Sequence, residues 1–343
     1  MAQIQDNDKL YSFLRPWTDW VFKRSYRRFQ IVGRDRIPTD GAIIFAPNHT
    51  NALCDALAVL CIDHSRKVFV ARADIFKNPK HAKLLTWLKI MPIRRMRDGV
   101  DEVLHNDETN EKAIATLRDK VPFCILPEGT HHPKHTLLPL QKGIFRIALT
   151  ANERFGEEMP IYIVPVGVEY GDYWHLWDTL TVNIGDPINI TEYVKTAKAQ
   201  TKARGREFTT PQLILELREE LTRRMRATIL WVPDDEDYER NWAALRDNPP
   251  APFDTFKKPK LSQPLICLIL TLMTPLLIVC LPFVWPLLLS WHIITKQVGD
   301  RAFHNSVQYV VQLLYITLTM GITIPFWWYT EEYRYWLRQL KHP

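Results

Sequence analysis

Between residues 30 and 250, short apolar runs alternate with longer stretches patterned as amphipathic helices. The runs 42–46, 68–71, 123–126, 161–166 and 180–184 have the length and composition of strands. Between them, 111–120 and 143–155 repeat apolar residues at helical spacing. Residues 211–231 read as a helix opened by Pro211 and capped by Thr209 or Thr210. Strand and helix in alternation predict an α/β domain built on a mostly parallel sheet flanked by helices.

The pattern changes near the C-terminus. Residues 264–291 and 306–330 contain no Asp, Glu, Lys, Arg or His, and each run exceeds the ~20 residues that cross a bilayer as a helix. Trp285, Trp291, Trp327, Trp328 and Tyr329 crowd their ends, as interfacial aromatic residues do. The expectation is a C-terminal α-helical transmembrane hairpin. Pro275, Pro282 and Pro286 leave a re-entrant first segment open as the alternative. Residues 10–28 mix Trp17, Trp20 and Phe22 with Arg15, Lys23, Arg24, Arg27 and Arg28, the composition of a helix lying on a membrane surface, although Pro16 interrupts it. The expected organisation is an N-terminal membrane-surface segment at 1–29, a catalytic domain at 30–248, a Pro- and Lys-rich linker at 249–263, and two membrane segments with a short basic tail at 264–343. The polar start, Met1 to Asp8, has no secretory-signal pattern. Lys257, Lys258 and Lys260 before the first run, and Arg334, Arg338 and Lys341 after the second, favour the cytoplasmic side for both ends of the hairpin.

Composition narrows the chemistry. A net charge of +6 suits acidic lipid headgroups or phosphorylated substrates. No nucleic-acid partner is expected. The five cysteines have no metal-ligand spacing, and no Gly-x-Ser-x-Gly elbow, P-loop or Gly-x-Gly-x-x-Gly occurs. Three stretches remain. Pro47-Asn48-His49-Thr50-Asn51 follows a strand and precedes a helical run that contains Asp55. A neutral imidazole can take a proton from a hydroxyl, and a carboxylate on its far nitrogen fixes its tautomer. Six residues within one helix turn through about 600°, so His49 must sit before the helix to meet Asp55. Second, Ser65 to Arg97 holds ten Lys and Arg against the single acid Asp74. That excess suits an anionic partner, with most of the charges on a solvated face. Arg94, Arg95 and Arg97 stand out because they follow a strand-like run. Third, Leu126-Pro127-Glu128-Gly129-Thr130-His131-His132 forms a sharp turn with a carboxylate and a hydroxyl. With His135 it invites a metal reading, but the spacing lacks the i, i+4 helical ligand pair. Lys142 begins the next helical run, where an anion can bind.

In this order and spacing, Asn48-His49 with Asp55, Pro92-Ile93-Arg94-Arg95, Leu126-Pro127-Glu128-Gly129-Thr130 and Ile163-Val164-Pro165-Val166 resemble the glycerolipid acyltransferase superfamily over roughly residues 30–190. Two departures stand out. Five residues rather than four separate His49 from Asp55, with Cys54 in the usual Asp place, and His131 replaces an Arg after the Glu-Gly-Thr. The resemblance implies a membrane-bound O-acyltransferase. His49 is the general base, oriented by Asp55. Amides near Thr50 and Asn51 stabilise the oxyanion, and Asn48, Arg95, Glu128, Gly129, Thr130 and Lys142 bind substrate. It further implies no cofactor and no metal, with acyl carrier protein or acyl-CoA as thioester co-substrate. The implied acceptor is a lysophospholipid in the bilayer, foremost 1-acylglycerol-3-phosphate, which gives phosphatidic acid. The place is the cytoplasmic (inner) membrane, with several spans and the site on the cytoplasmic side. Glycerol-3-phosphate or an acyl-amino-acid lipid as acceptor, a non-catalytic lipid-binding protein, and a metal-dependent lipid hydrolase remain the alternatives.

Overall fold

The computed structural model describes residues 3–94, 106–205, 207–256 and 261–341. Eight strands form one sheet: β1 (Arg28–Val32), β2 (Ala42–Pro47), β3 (Val68–Arg72), β4 (Ile90–Ile93), β5 (Phe123–Cys124), β6 (Ile161–Tyr170), β7 (Thr179–Ile184) and β8 (Ile188–Asn189). Their order is β1-β7-β6-β2-β5-β3-β4, with β8 beside β6. β6 pairs antiparallel with β7 and β8, and the remaining pairings are parallel. The expected mostly parallel sheet is therefore present.

Side chains alternate across the sheet. Ala42, Ile44, Ile161 and Ile163 face one core with helices α4 (Asn106–Arg118), α5 (Gly143–Phe155), α6 (Ile190–Ala203) and α7 (Thr210–Arg226). Phe45, Val164, Val166, Val168 and Tyr170 face a second core with α1 (Lys9–Arg24) and α2 (Leu53–Leu60). A sheet covered on both faces has strands with apolar residues at successive positions, which is why those runs stood out in the sequence. Shorter features of the domain include α3 (Pro79–Trp87) beside β4, α8 (Tyr238–Asp247), and 3-10 turns at Arg34–Arg36, Ala73–Phe76 and Phe253–Phe256.

The C-terminal part differs from the expected hairpin of two spans. Residues Gln263–Gln297 form one continuous helix, α9, straight through Pro275, Pro282 and Pro286. Its 35 residues reach about 50 Å, more than the hydrocarbon thickness of a bilayer. It is the one helix among the described residues long and apolar enough to cross a membrane. Tyr315 and Tyr329, from the neighbouring helices, donate to the carbonyls of Phe283 and Met273 and tie α9 to them. The second run breaks at Met320-Gly321, both at positive φ, into α10 (His304–Leu318) and α11 (Ile324–Lys341).

Neither half of the second run is apolar all round. Asn305, Ser306, Gln308 and Gln312 are buried on α10. Ser25 Oγ donates to Gln312 Oε1 at 3.0 Å, Tyr309 Oη to the Thr18 carbonyl at 3.1 Å, and Trp17 Nε1 to Thr317 Oγ1 at 2.8 Å. From α11, Glu332 pairs with Arg27, and Trp327 is fully enclosed in the second core. The 249–263 linker therefore does not divide two independent cores, because the helices beyond it complete the layer that α1 and α2 begin. Within that layer α1 buries Val21 and Phe22 and leaves Leu10 and Phe13 outward.

α1 also terminates the helix that carries Asp55. The buried Arg15 guanidinium pairs with Asp19 at 2.7 Å and donates to the carbonyls of Leu60, Asp63 and Ser65, at and beyond the end of α2. Those carbonyls have no helical partner of their own. Arg15→Met is expected to lower stability by about 3–5 kcal/mol, because it strands a buried carboxylate and the end of α2. Chemical denaturation in detergent checks it, and Arg15→Met with Asp19→Leu should recover most of the loss.

Candidate active site

β2 and β5 lie side by side and parallel, so the loops that leave their C-terminal ends emerge together. Ligand sites of open α/β sheets form at that end. The first loop carries His49 and the second Glu128. Three backbone ties lock them: Ile125 N–H to the Phe45 carbonyl at 3.1 Å, His132 N–H to the His49 carbonyl at 3.2 Å, and Gln141 N–H to the Pro127 carbonyl at 2.7 Å.

His49 and Asp55 meet. His49 Nδ1 stands 2.8 Å from Asp55 Oδ2, with the imidazole partly exposed and the carboxylate fully buried. The same Oδ2 accepts the backbone N–H groups of Thr50 and Asn51, each at 2.8 Å. Oδ1 accepts the Tyr170 hydroxyl at 2.7 Å. A carboxylate accepts from Nδ1–H, which leaves Nε2 as the basic atom of His49. Ala52 makes the turn possible. It sits at φ 45°, ψ −120°, just before α2, a strained conformation for a residue with a Cβ. That kink folds 49–51 back over the start of the helix, so side chain and amides converge on one oxygen across the five-residue gap.

Two expected roles change. The Thr50 and Asn51 amides, read from the resemblance as oxyanion donors, are committed to Asp55. Asn48, read as substrate-binding, is buried and its amide copies a strand pairing: Nδ2 donates to the Val168 carbonyl at 3.1 Å and Oδ1 accepts Val168 N–H at 2.6 Å. It extends the β2–β6 contact past Pro47 and sets where His49 begins.

Glu128 is buried as well, facing protein rather than an open site. Oε1 accepts His49 N–H and Oε2 accepts Leu138 N–H, both at 2.7 Å. Gly129 follows at φ +70°, a conformation an L side chain resists. Thr130 is exposed at the tip of that turn, and Lys142 is exposed at the start of α5. Arg94 ends β4 on the same end of the sheet. It lies three strands from β2, about 14 Å across. Arg95 and Arg97 lie outside the described residues.

Two of the three histidines in the second loop take separate carboxylate partners. His131 Nε2 lies 2.8 Å from Asp300 Oδ2. His135 pairs with the buried Glu169 and stacks on Trp242. Neither ring nitrogen of His132 has a hydrogen-bond partner among the described residues, and burial holds this imidazole below its usual range. Among the described residues no group of three or more His, Cys, Asp and Glu is placed to hold a metal. Burial pushes the Cys54 thiol up to about 12, so it packs as a thiol, 3.8 Å from the Ser306 hydroxyl. Sequence reasoning missed Tyr170, which lies 115 residues from Asp55, and Asp300, which belongs to the turn after α9. No local motif marks either one.

Burial pushes the Glu128 carboxyl up to about 8, although the N–H groups of Leu138 and His49 hold it down. The folded state then keeps a proton that the unfolded chain releases near the ordinary value of 4.5. That contribution is fully present below the unfolded value and is lost as pH rises through about 8. Against Glu128→Gln, wild-type unfolding free energy is expected to fall by up to about 1.4 kcal/mol per pH unit across this window. Denaturant titrations at several pH values check it, and parallel curves for the two proteins would refute it.

A family model described as Acyltransferase matches residues 28–169. No curated protein matches the chain. Among solved structures, the 1-acyl-sn-glycerophosphate (LPA) acyltransferase PlsC from Thermotoga maritima is similar over 64% of this chain and 82% of its own, at 18% identity and a TM-score of 0.42. The family match runs from β1 to Glu169 and contains His49, Asp55, Glu128 and the sheet edge that holds them. Residues 28–169 are thus similar to the acyltransferase family over the stretch that builds this site.

Proposed function

We propose that this chain transfers a fatty acyl group from an acyl thioester to the hydroxyl of a lysophospholipid, with 1-acylglycerol-3-phosphate as acceptor and phosphatidic acid as product. The observation that carries the reading is the His49 Nδ1–Asp55 contact of 2.8 Å on a partly exposed imidazole, at the C-terminal end of β2. His49 Nε2 takes the proton of the acceptor hydroxyl, and the oxygen attacks the thioester carbonyl. The C–S bond then breaks, and the imidazolium returns the proton to the departing thiolate of acyl carrier protein or CoA. Asp55 steadies the imidazolium while Tyr170 and two amides keep the carboxylate aimed at it. The residues that carry these steps are all amino-acid side chains, so the reading assigns no role to a metal or prosthetic group.

The lipid side of the reading rests on α9. Its outward Leu268, Leu272, Leu276 and Ile278 are exposed along an apolar helix long enough to span a bilayer. We place it in the cytoplasmic membrane with the site at the cytoplasmic surface, where the acceptor is a bilayer lipid and the donor comes from water.

His49→Ala is expected to abolish transfer, and Asp55→Asn to lower kcat by about a hundredfold or more with little change in KM. The check is thioester consumption and lipid product in detergent, with acyl carrier protein and CoA donors. The acceptors are 1-acylglycerol-3-phosphate, glycerol-3-phosphate and an acyl-amino-acid lipid. A different preferred acceptor would replace the substrate and keep the chemistry. No turnover of any thioester by the wild type would end the reading.

A further inference from the structure

The turn between α9 and α10 reaches the catalytic histidine. His131 lies between two rings: the His49 imidazole at 5.3 Å and 73°, and the Phe303 ring at 5.5 Å and 88°. Its Nε2 is held by Asp300 Oδ2 at 2.8 Å, while Asp300 Oδ1 accepts Ala302 N–H at 3.0 Å. The turn is itself anchored on both sides. The Arg301 guanidinium sits 4.3 Å over the Trp174 ring. Asn305 Nδ2 donates at 2.8 Å to the Tyr173 carbonyl, which also accepts Asn51 Nδ2 at 3.1 Å, two residues from His49. His304 Nε2 lies 3.0 Å from the Val298 carbonyl. A segment fixed this way is a wall of the site.

We propose that Asp300 is a positioning residue that aligns the lipid acceptor with His49 through His131, and that the α9–α10 turn is the wall past which this lipid enters. The inference rests on the acyl-transfer reading above and adds to it the residue that sets acceptor alignment. The direction of entry follows from what the turn joins. It continues from α9, whose exposed apolar side chains extend to Ile293 and Ile294, and it presents Phe303 partly exposed beside His131. An amphipathic lipid held along α9 meets Phe303 with its apolar part and the His131–Asp300 pair with its polar part. A thioester on a water-soluble carrier has no such tie to α9. Losing Asp300 frees the His131 ring, and the acceptor loses a fixed surface while the donor keeps its own.

The test compares the full chain in detergent as wild type, Asp300→Ala, and the exchanged pair His131→Asp with Asp300→His. Acceptor KM is expected to rise about tenfold in Asp300→Ala while donor KM stays within about twofold. The exchanged pair should bring acceptor KM back to within about threefold of wild type. A role confined to holding the helices in place would instead lower the melting temperature and move both KM values together. That outcome, or an unchanged acceptor KM, overturns the proposal. If Asp300→Ala does not fold, a folded exchanged pair decides: recovered acceptor KM supports the proposal, and a raised one overturns it. If the wild type transfers no acyl group, the acyl-transfer reading fails by itself. Binding of 1-acylglycerol-3-phosphate to His49→Ala then decides this proposal. About tenfold weaker binding on adding Asp300→Ala supports it, and equal binding overturns it.

Discussion

Asp55 has no surface exposed to water, yet four donors reach its two oxygens: the His49 ring, the Thr50 and Asn51 amides, and the Tyr170 hydroxyl. A carboxylate taken out of water is costly unless nearly every lone pair is met. Much of the local structure is what meeting them requires. The amides reach Oδ2 because Ala52 accepts a strained backbone. Tyr170 reaches Oδ1 because β6 runs ten residues, past the six paired with β2. Asn48 reproduces the strand pairing after Pro47, where proline has no N–H to give, and so fixes the exit of the loop against Val168.

The neighbouring loop holds a second buried carboxylate under different terms. Glu128 receives two backbone N–H groups and no cation within salt-bridge reach apart from His132 at 3.7 Å, among the described residues. Burial therefore dominates there and raises its affinity for a proton. One carboxylate orients the His49 ring, and the other splices the two loops at the His49 backbone N–H. Both act through hydrogen bonds into loops that leave adjacent parallel strands, and that adjacency is a property of the sheet order alone.

The C-terminal helices join this arrangement instead of standing apart from it. Counting charges made 306–330 look like a second span, because Gln, Asn, Ser and Tyr carry none. Hydrogen bonding sorts these residues differently from charge: Gln312, Asn305 and Tyr309 recur at helical spacing and face Ser25, Tyr173 and Thr18. The long helix α9 keeps its apolar surface outward and ends at the turn that touches His131. The turn after this long apolar helix and the His49 ring are thus separated by one side chain.

The sequence by itself determined the α/β alternation, the strands 42–46, 68–71, 123–126, 161–166 and 180–184, the helix from Gly143 to Phe155, and the need for His49 to precede the helix of Asp55. These follow from local rules, periodicity and chain geometry, which act within a dozen residues. The same locality explains the resemblance, since each motif lies within or just after a single strand. Only the tertiary structure decided that Tyr170 completes Asp55, that the Thr50 and Asn51 amides belong to that carboxylate, that Asn48 builds the sheet, and that Asp300 grips His131. Each of these is a contact between segments distant in the chain or a choice among competing donors, and a donor's partner depends on which strands lie side by side. The sheet order β6-β2-β5 brings those strands together, and no pattern within any one of them encodes it.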